Sequence, residues 1–162
     1  MFDVLDEQAV TDARVLDLYA GSGALGIEAL SRGACWCDFV ERATSTTKVI
    51  RENLALTGLQ DRARVHRVAV ERAQARLKAE YTLVFADPPY DDDGAMLALD
   101  DIARSGLVAA EATLVLEHSR RRTPPPTLGL LHLDWTRRYG DSQVSIYREA
   151  GLAAGQSKEE LQ

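Results

Sequence analysis

The amino-acid sequence predicts an α/β fold with a mainly parallel β-sheet. Short apolar segments alternate along the chain with longer amphipathic ones, which is the pattern of strands connected by helices. Residues 81–86 form a nearly continuous apolar run, as expected for a strand that is buried on both faces of a sheet. Residues 14–19 are also short and apolar, and they run through a glycine-containing turn at 20–23 into a helical pattern.

The amino-terminal half is predicted to contain three strand–helix pairs. Gly33 and Gly58 mark the ends of the first two helices, because glycine readily adopts the left-handed conformation that terminates many helices. The third helical segment is rich in Ala and Arg. The predicted elements of this half are strand 14–19, helix 24–31, strand 35–40, helix 44–57, strand 64–68 and helix 70–79.

The carboxyl-terminal half completes the parallel sheet and adds an antiparallel pair. Three aspartates at 91–93 favour the N-terminal dipole of the helix that follows them, and Gly106 can close that helix. Residues 123–126 include three consecutive prolines, which neither a helix nor a central strand accommodates. The predicted elements of this half are strand 81–86, helix 95–104, strand 112–117 and the antiparallel strands 128–133 and 144–148.

These elements add up to a seven-stranded sheet in one domain. A chain of 162 residues has the length of a single domain, which we assign to residues 1–150. The polar residues 151–162 that follow are expected to form a disordered tail.

Composition argues against several classes of protein. No run of 18 apolar residues occurs, so a membrane-spanning helix is not expected, and the first seven residues are acidic where a signal peptide would be basic. Cys35 and Cys37 cannot build a disulfide framework. Two apart on one strand, they are interpreted as buried thiols, since a zinc site needs two further ligands. We therefore expect a soluble, cytoplasmic protein without a metal.

The net charge of −6 is unevenly distributed along the chain. Residues 1–13 carry four acidic side chains and no basic one, whereas residues 118–148 carry six arginines against two aspartates, a local charge of +4. A basic carboxyl-terminal third is compatible with a phosphate-rich partner, and the alternative is a solvated charged surface. The arginines are Arg120, Arg121, Arg122, Arg137, Arg138 and Arg148.

A glycine pattern follows the first predicted strand. Gly21-Ser22-Gly23-Ala24-Leu25-Gly26 matches G-x-G-x-x-G, in which glycines allow a tight turn and a close approach of the backbone to a nucleotide-like ligand. Glu41 ends the second strand, where its carboxylate could bind both hydroxyls of a ribose. Because ligands of such sheets bind beyond the carboxyl ends of the strands, the pattern predicts a cofactor site there.

Asp17 bears on which cofactor this is. An acidic side chain at the end of the first strand opposes the pyrophosphate of a dinucleotide, which needs neutral or positive surroundings. It suits a ligand with an ammonium or sulfonium group, such as S-adenosylmethionine. The alternative is a structural carboxylate that caps the following turn.

Asp87-Pro88-Pro89-Tyr90, after the fourth strand, is the most specific motif in the chain. Four fixed residues arise by chance in about one chain in a thousand of this length. The prolines remove two N–H donors and stiffen the loop, so that its carbonyls and the Asp87 carboxylate act as acceptors. Converging acceptors suit an exocyclic amine, and Tyr90 can stack on the base that carries it. The alternative is a rigid turn at the end of a strand.

The chain resembles S-adenosylmethionine-dependent methyltransferases that act on exocyclic nitrogens. The resemblance covers residues 1 to about 148 and rests on residues 16–34, on Asp87–Tyr90, on residues 115–118 and on residues 138–142. The family it matches best is that of the RsmD-type bacterial enzymes, which methylate N2 of guanine 966 in 16S ribosomal RNA. The resemblance implies a Rossmann-like class I methyltransferase fold. Members of this family usually begin with some forty further residues that form a basic hairpin, so the sequence is expected to lack that segment.

The resemblance also implies a set of site residues. The acceptor base would be held by the motif loop, and S-adenosylmethionine by the turns after the first three strands and by Asp87. Val68 and Ala69 stand where many methyltransferases hold the adenine amine with a polar side chain, so backbone groups would take over that contact. The catalytic candidates are Asp87, Pro88, Pro89 and Tyr90, and the cofactor candidates are Asp17, Tyr19, Ala20, Gly21, Ser22, Gly23, Glu41, Arg42, Val68, Ala69 and Asp87.

The implied partner is 16S rRNA, within the 30S subunit or an assembly intermediate, and the protein is expected to be a monomer. Three alternatives stay open: a DNA adenine-N6 or other amino-methyltransferase, an NAD-type dehydrogenase suggested by the glycines, and a truncated cofactor-binding domain without activity. His66 and His132 are interpreted as structural residues. His118 follows the fifth strand at the ligand end of the sheet and is a candidate for contacting the substrate.

Overall fold

The computed structural model describes residues 1–151, and its core is one eight-stranded β-sheet. The strands are β1 (Arg14–Leu18), β2 (Trp36–Glu41), β3 (Ala63–Arg67), β4 (Tyr81–Ala86), β5 (Val108–Ser119), β6 (Thr127–Leu128), β7 (Leu131–Tyr139) and β8 (Ser142–Arg148). Their order across the sheet is β3-β2-β1-β4-β5-β8-β7-β6. The first five run parallel, and β8, β7 and β6 continue the sheet in antiparallel pairs. The strand order reverses at β1, so the carboxyl ends of β1 and its neighbours β2 and β4 border the crevice in which such folds bind ligands.

Helices cover both faces of the sheet. The α-helices within residues 1–151 are α1 (Glu7–Val10), α2 (Ala24–Ser31), α3 (Thr44–Thr57) and α4 (Ala95–Arg104). Apolar side chains of α2 and α3, such as Leu30 and Ile50, pack on one face with Phe39. On the other face α4 packs together with the 3₁₀ helix Val70–Ala75. Because both faces are covered, β1 and β4 are buried almost throughout, and this explains their apolar composition.

Gly26 allows α2 to lie close against β2. A Cβ atom at this position would come within 2.6 Å of the Cys37 sulfur and would overlap the ring of Phe39. The third glycine of the pattern is therefore required by helix–strand packing, independently of any ligand.

The predicted α/β fold and its mainly parallel sheet are confirmed. Helices 24–31, 44–57 and 95–104 have the predicted bounds. The first two are followed by left-handed glycines, Gly33 with φ of 104° and Gly58 with φ of 69°. Local end signals were therefore sufficient to locate these three helices.

Several element predictions were wrong. Residues 70–79 do not form an α-helix, because a 3₁₀ helix ends at Ala75 and an irregular segment leads directly into β4. Residues 128–133 are not one strand: Gly129, with φ of 59°, turns the chain between β6 and β7. The sheet therefore has eight strands instead of seven.

The remaining differences concern bounds and the termini. The strand predicted at 112–117 extends over Val108–Ser119, and the short helices at Phe2–Val4 and Glu7–Val10 were not predicted. Among residues 1–151, no helix is both long and apolar enough to cross a membrane. The predicted tail at 151–162 lies, apart from Gly151, outside the described residues.

Candidate active site

A cavity of about 290 Å³ opens at the carboxyl ends of β1, β2, β3 and β4. Its wall includes apolar side chains, four carboxylates and one guanidinium. The lining residues are Tyr19, Val40, Glu41, Arg42, Ala43, Val68, Ala69, Val70, Glu71, Asp87, Pro89 and Asp92. With one basic group against four acidic ones, the cavity is suited to a ligand that carries positive charge next to apolar surface.

The turn after β1 has an unusual backbone. Tyr19, Gly21 and Gly23 all have positive φ, of 56°, 57° and 79°. This conformation is uncommon for a residue with a side chain, and Tyr19 borders the cavity. A backbone hydrogen bond of 3.0 Å from the Ala20 N–H to the Val40 carbonyl connects the turn to β2. Strained positions of this kind are retained where the surrounding structure fixes them, and they cluster at ligand sites.

Glu41 connects the glycine turn to the chain after β2 through both carboxylate oxygens. Oε2 accepts the Gly21 N–H at 3.1 Å, and Oε1 accepts the Ala43 N–H at 3.0 Å. Each oxygen of a carboxylate can accept a second hydrogen bond, so the group holds the glycine turn and can still accept hydroxyl groups of a ligand.

Asp17 is buried and does not line the cavity. Its Oδ2 accepts the Gly26 N–H, in the first turn of α2, at 3.0 Å. Burial raises the pKa of Asp17 to about 8 in spite of that hydrogen bond, and the negative charges of Asp87 and Glu41 contribute in the same direction. The turn-capping alternative is therefore present in the structure, next to two carboxylates whose field favours a cation.

The motif loop separates this cavity from a second cleft. Pro88 is buried, while Asp87, Pro89 and Tyr90 are exposed. Partial loss of hydration raises the pKa of Asp87 to about 6, and the charge of Glu117 adds to this effect. A hydrogen bond of 2.6 Å between the Tyr90 hydroxyl and Ser142 Oγ links the loop to β8.

The second cleft, of about 310 Å³, lies on the other side of Tyr90. Tyr90, 56% exposed, shares its lining with Ser119, Arg120, Arg121 and Asp141. A flat group that stacks on Tyr90 would thus have guanidinium groups nearby for a phosphate, and the Asp87 carboxylate three residues away along the loop.

The structure brings only part of the predicted site together around the cavity. Seven of the candidates line it: Tyr19, Glu41, Arg42, Val68, Ala69, Asp87 and Pro89. The other candidates lie outside the lining, in β1, in the glycine turn or on the outer side of the motif loop: Asp17, Ala20, Gly21, Ser22, Gly23, Pro88 and Tyr90. Their proposed contacts with a ligand stay predictions.

Sequence reasoning missed five lining residues, Val40, Ala43, Val70, Glu71 and Asp92. The first four lie one or two residues from predicted candidates at the ends of β2 and β3, so extending each strand-end turn by that much would have found them. Asp92 had been assigned only to the N-terminus of α4. The Asp92 N–H donates to the Pro89 carbonyl at 3.1 Å, and this turn keeps Asp92 beside Pro89 at the cavity.

His118 is a structural residue. It is buried, its Nδ1–H donates to the Ser119 carbonyl at 3.1 Å, and Nε2 accepts from Ser145 Oγ at 2.8 Å. Burial lowers the pKa of His118 below its usual value, so the ring stays neutral at pH 7. His66 lies 2.7 Å from Asp38 and does not line the cavity. In the part of the chain that the structure describes, no three His, Cys, Asp or Glu side chains are arranged to hold a metal ion.

Comparisons with known proteins give relatives over nearly the whole chain. The family described as "Conserved hypothetical protein 95" matches residues 1–148. "Putative rRNA methyltransferase YlbH" of Bacillus subtilis is 37% identical over 141 residues, which are 85% of this chain and 77% of that protein. "Ribosomal RNA small subunit methyltransferase D" of Escherichia coli is 33% identical over 108 residues, 67% of this chain and 54% of that protein.

Solved structures agree with this result. A "conserved hypothetical protein" of Streptococcus pyogenes has a TM-score of 0.80 at 32% identity and covers 86% of this chain and 87% of its own. "Putative methyltransferase yhhF" of Escherichia coli has a TM-score of 0.82 at 29% identity, with 92% of this chain and 84% of that chain covered.

Proposed function

Since the chain belongs to the RsmD-type family, the one described as "Conserved hypothetical protein 95", we propose that it transfers a methyl group from S-adenosylmethionine to ribosomal RNA. We further propose that the acceptor is N2 of a guanine in the small-subunit RNA. The observation that carries the proposal is the position of Asp87–Tyr90, which separates a cofactor-sized cavity from a cleft with an exposed aromatic ring.

The cavity fits S-adenosylmethionine better than a dinucleotide. Its volume is near the lower end of the range for small-molecule sites, and its carboxylates would repel a pyrophosphate. Glu41 would bind the ribose hydroxyls, and Val40, Val68 and Val70 would contact the adenine face. The carboxylate of Asp87, which is ionised at pH 7, would favour the positive sulfonium through its charge. When bound, S-adenosylmethionine supplies an electrophilic methyl group.

Asp87 would hold and deprotonate the acceptor nitrogen. The exocyclic amine of guanine is a weak nucleophile, because its lone pair is delocalised into the ring. A carboxylate with a pKa of about 6 is ionised at pH 7, so it accepts an N2–H hydrogen bond and can take up the proton that the nitrogen loses. The Pro88 carbonyl would accept the second N2–H, so that the nitrogen is oriented before reaction.

Tyr90 would hold the target base outside the RNA stack. A base inside a helix cannot present its amine to a cavity of this depth, so it must be unstacked, and an aromatic ring compensates part of that cost. The hydrogen bond to Ser142 fixes the ring of Tyr90 at the edge of the cleft. Arg120 and Arg121 would contact the phosphates that flank the extruded nucleotide.

The proposal is tested by incubating the full chain with methyl-labelled S-adenosylmethionine and 30S subunits that lack the modification. We expect the label on N2-methylguanosine after the RNA is digested to nucleosides. Label on N6-methyladenosine would overturn the guanine assignment and retain methyl transfer. No label on naked 16S rRNA or on 30S subunits, with S-adenosylmethionine bound, would favour a cofactor-binding domain without activity.

We propose that the protein acts in the cytoplasm, on the 30S subunit or one of its assembly intermediates, and as a monomer. Parallel reactions with naked 16S rRNA and with 30S subunits distinguish the two substrates by their initial rates.

A further inference from the structure

A second, larger groove runs along edge strand β3, away from the candidate active site. It has a volume of about 680 Å³ and extends from the first residues of β1, β2 and β4 to the last residue of β3. Its lining includes six cationic side chains from β1, α3, β3 and the segment before β4. We call it the β3 groove and define its cations as Arg14, Arg51, Arg64, Arg67, Arg76 and Lys78.

The charges of the β3 groove are not neutralised by the protein. Within residues 1–151, none of its six cations has a carboxylate oxygen within 4.0 Å. The one acidic residue of the lining, Asp38, is buried and bound by His66, Tyr81 and Trp36 at 2.7, 2.6 and 2.9 Å. The negative charge of Asp38 is therefore taken up by these three hydrogen bonds and does not pair with the cations of the groove.

The arrangement favours a ligand with several phosphates over a single anion. Arg51, Arg64, Arg67, Arg76 and Lys78 are all exposed, and they come from three different elements. Arg64 and Arg67 stand three residues apart on β3, which places their backbones about 10 Å apart, so the cations are spread along the strand. A chain of phosphates would contact them successively, with Arg14 stacked on the Trp36 ring at the end of the groove, 5.5 Å from its centroid.

The groove is also placed to contact the same RNA as the active site. Arg67 is paired in register with Glu41, which lines the cofactor cavity. Three strand spacings separate β3 from β4, a distance of about 14 Å, which several nucleotides can span.

We propose that the β3 groove binds the phosphate backbone of the RNA substrate, several nucleotides from the base that is methylated. The identification of the ligand as RNA rests on the proposed function, whereas the phosphate-binding surface rests on the geometry. In a protein of net charge −6, this concentration of positive charge counteracts the general repulsion of RNA.

The test compares two double variants with the same change in net charge. Arg64→Ala/Arg76→Ala removes two groove cations for which no hydrogen bond from the guanidinium is present in the described chain. The matched control, Arg32→Ala/Arg104→Ala, removes two exposed arginines outside the groove that pair with Glu28 and Asp100.

Binding of a 16S rRNA transcript by the full chain is measured at several KCl concentrations. We expect the groove variant to raise Kd about tenfold and to make the slope of log Kd against log[KCl] shallower by about 1.4 to 1.8. The control variant should stay within twofold of wild type. Arg64→Lys/Arg76→Lys should retain the wild-type slope, because it retains the charge.

Equal effects of the two Ala double variants, or no effect of either, would overturn the proposal. An unchanged Kd for S-adenosylmethionine in each variant shows that the fold and the cofactor site are intact. If the protein methylates rRNA but the groove variant binds RNA like wild type, the proposal for the β3 groove is overturned and the proposed function stands. A groove effect on RNA binding in a protein that transfers no methyl group to rRNA would overturn the proposed function alone.

Discussion

The cofactor cavity and the β3 groove are both lined by charged side chains, but of opposite sign. The cavity at the carboxyl ends of the strands has four carboxylates and one guanidinium, and the β3 groove has six cations and one buried carboxylate. The two regions share no lining residue, so a positive cofactor and a negative polymer can be bound by one small domain. The comparison implies that the two regions have different roles: the cavity binds the cofactor for the reaction, and the groove contributes affinity for RNA.

Replacing Asp87 should give the largest effect and separate the two regions most clearly. We expect Asp87→Ala to lower kcat by about 10²–10³-fold, because the acceptor for the developing positive charge on the amine is lost. The RNA Kd should stay within twofold, since the groove is untouched. Single-turnover rates and filter binding on the same preparation measure both quantities. A rate within twofold of wild type would exclude this role for Asp87.

The pH dependence of the rate should come from Asp87 in the cofactor cavity and not from the β3 groove. With a pKa of about 6, Asp87 becomes protonated as the pH falls, so the rate should drop about tenfold per pH unit below 6. Glu117→Gln removes a neighbouring negative charge, lowers the pKa of Asp87 and moves this acid limb to lower pH. Rates between pH 5 and 8 measure the shift, and an acid limb that stays in place in Glu117→Gln would contradict the assignment to Asp87.

Asp17→Asn should weaken the binding of S-adenosylmethionine and raise the thermal stability of the fold. The amide oxygen can still accept the Gly26 N–H, but it cannot ionise, so we expect a roughly tenfold higher Kd for S-adenosylmethionine above pH 8, where Asp17 is charged in the wild type, and little change at pH 7.

Because the folded-state pKa of Asp17 is raised to about 8, above its value in the unfolded chain, ionisation costs stability as the pH rises from about 4 to 8. The variant should therefore have a higher Tm than wild type at pH 8, and the difference should vanish towards pH 4. Thermal melts at both pH values, with calorimetric titration of the cofactor, test the two expectations. A lower Tm at pH 8 would contradict the cost assigned to the buried charge.

The smallest effect on RNA binding is expected from replacing an arginine in the basic segment 118–148. Arg137 lies over the Trp135 ring at 5.9 Å and near Asp3, and Arg148 pairs with Asp6 and Asp134. The acidic amino terminus thus neutralises part of the basic segment. Arg137→Ala should leave the RNA Kd within twofold of wild type in filter binding, against about tenfold for the groove variant. A loss as large as that of the groove variant would remove the distinction between the two basic regions.

The sequence alone was sufficient wherever the signal was local. Helices 24–31, 44–57 and 95–104 had the predicted bounds because apolar periodicity and glycine ends act within a few residues. The motif at Asp87–Tyr90 directly follows a buried strand, so its place at the ligand end of the sheet could be read from the chain. The prediction for segment 70–79 was wrong because its composition suits a helix, whereas the chain forms only a 3₁₀ helix over Val70–Ala75 before β4.

Tertiary structure decided where the charges act. Sequence clusters indicated a basic carboxyl-terminal segment, yet Arg120, Arg122 and Arg148 pair there with Asp141, with Asp93 and with Asp6 and Asp134. The cations of the β3 groove are spread over residues 14–78 and form a group only when the strands align. Whether a charge is neutralised depends on its neighbours in space, and these lie far apart along the chain. The glycine turn and the motif loop could therefore be predicted from the sequence, whereas the β3 groove could not.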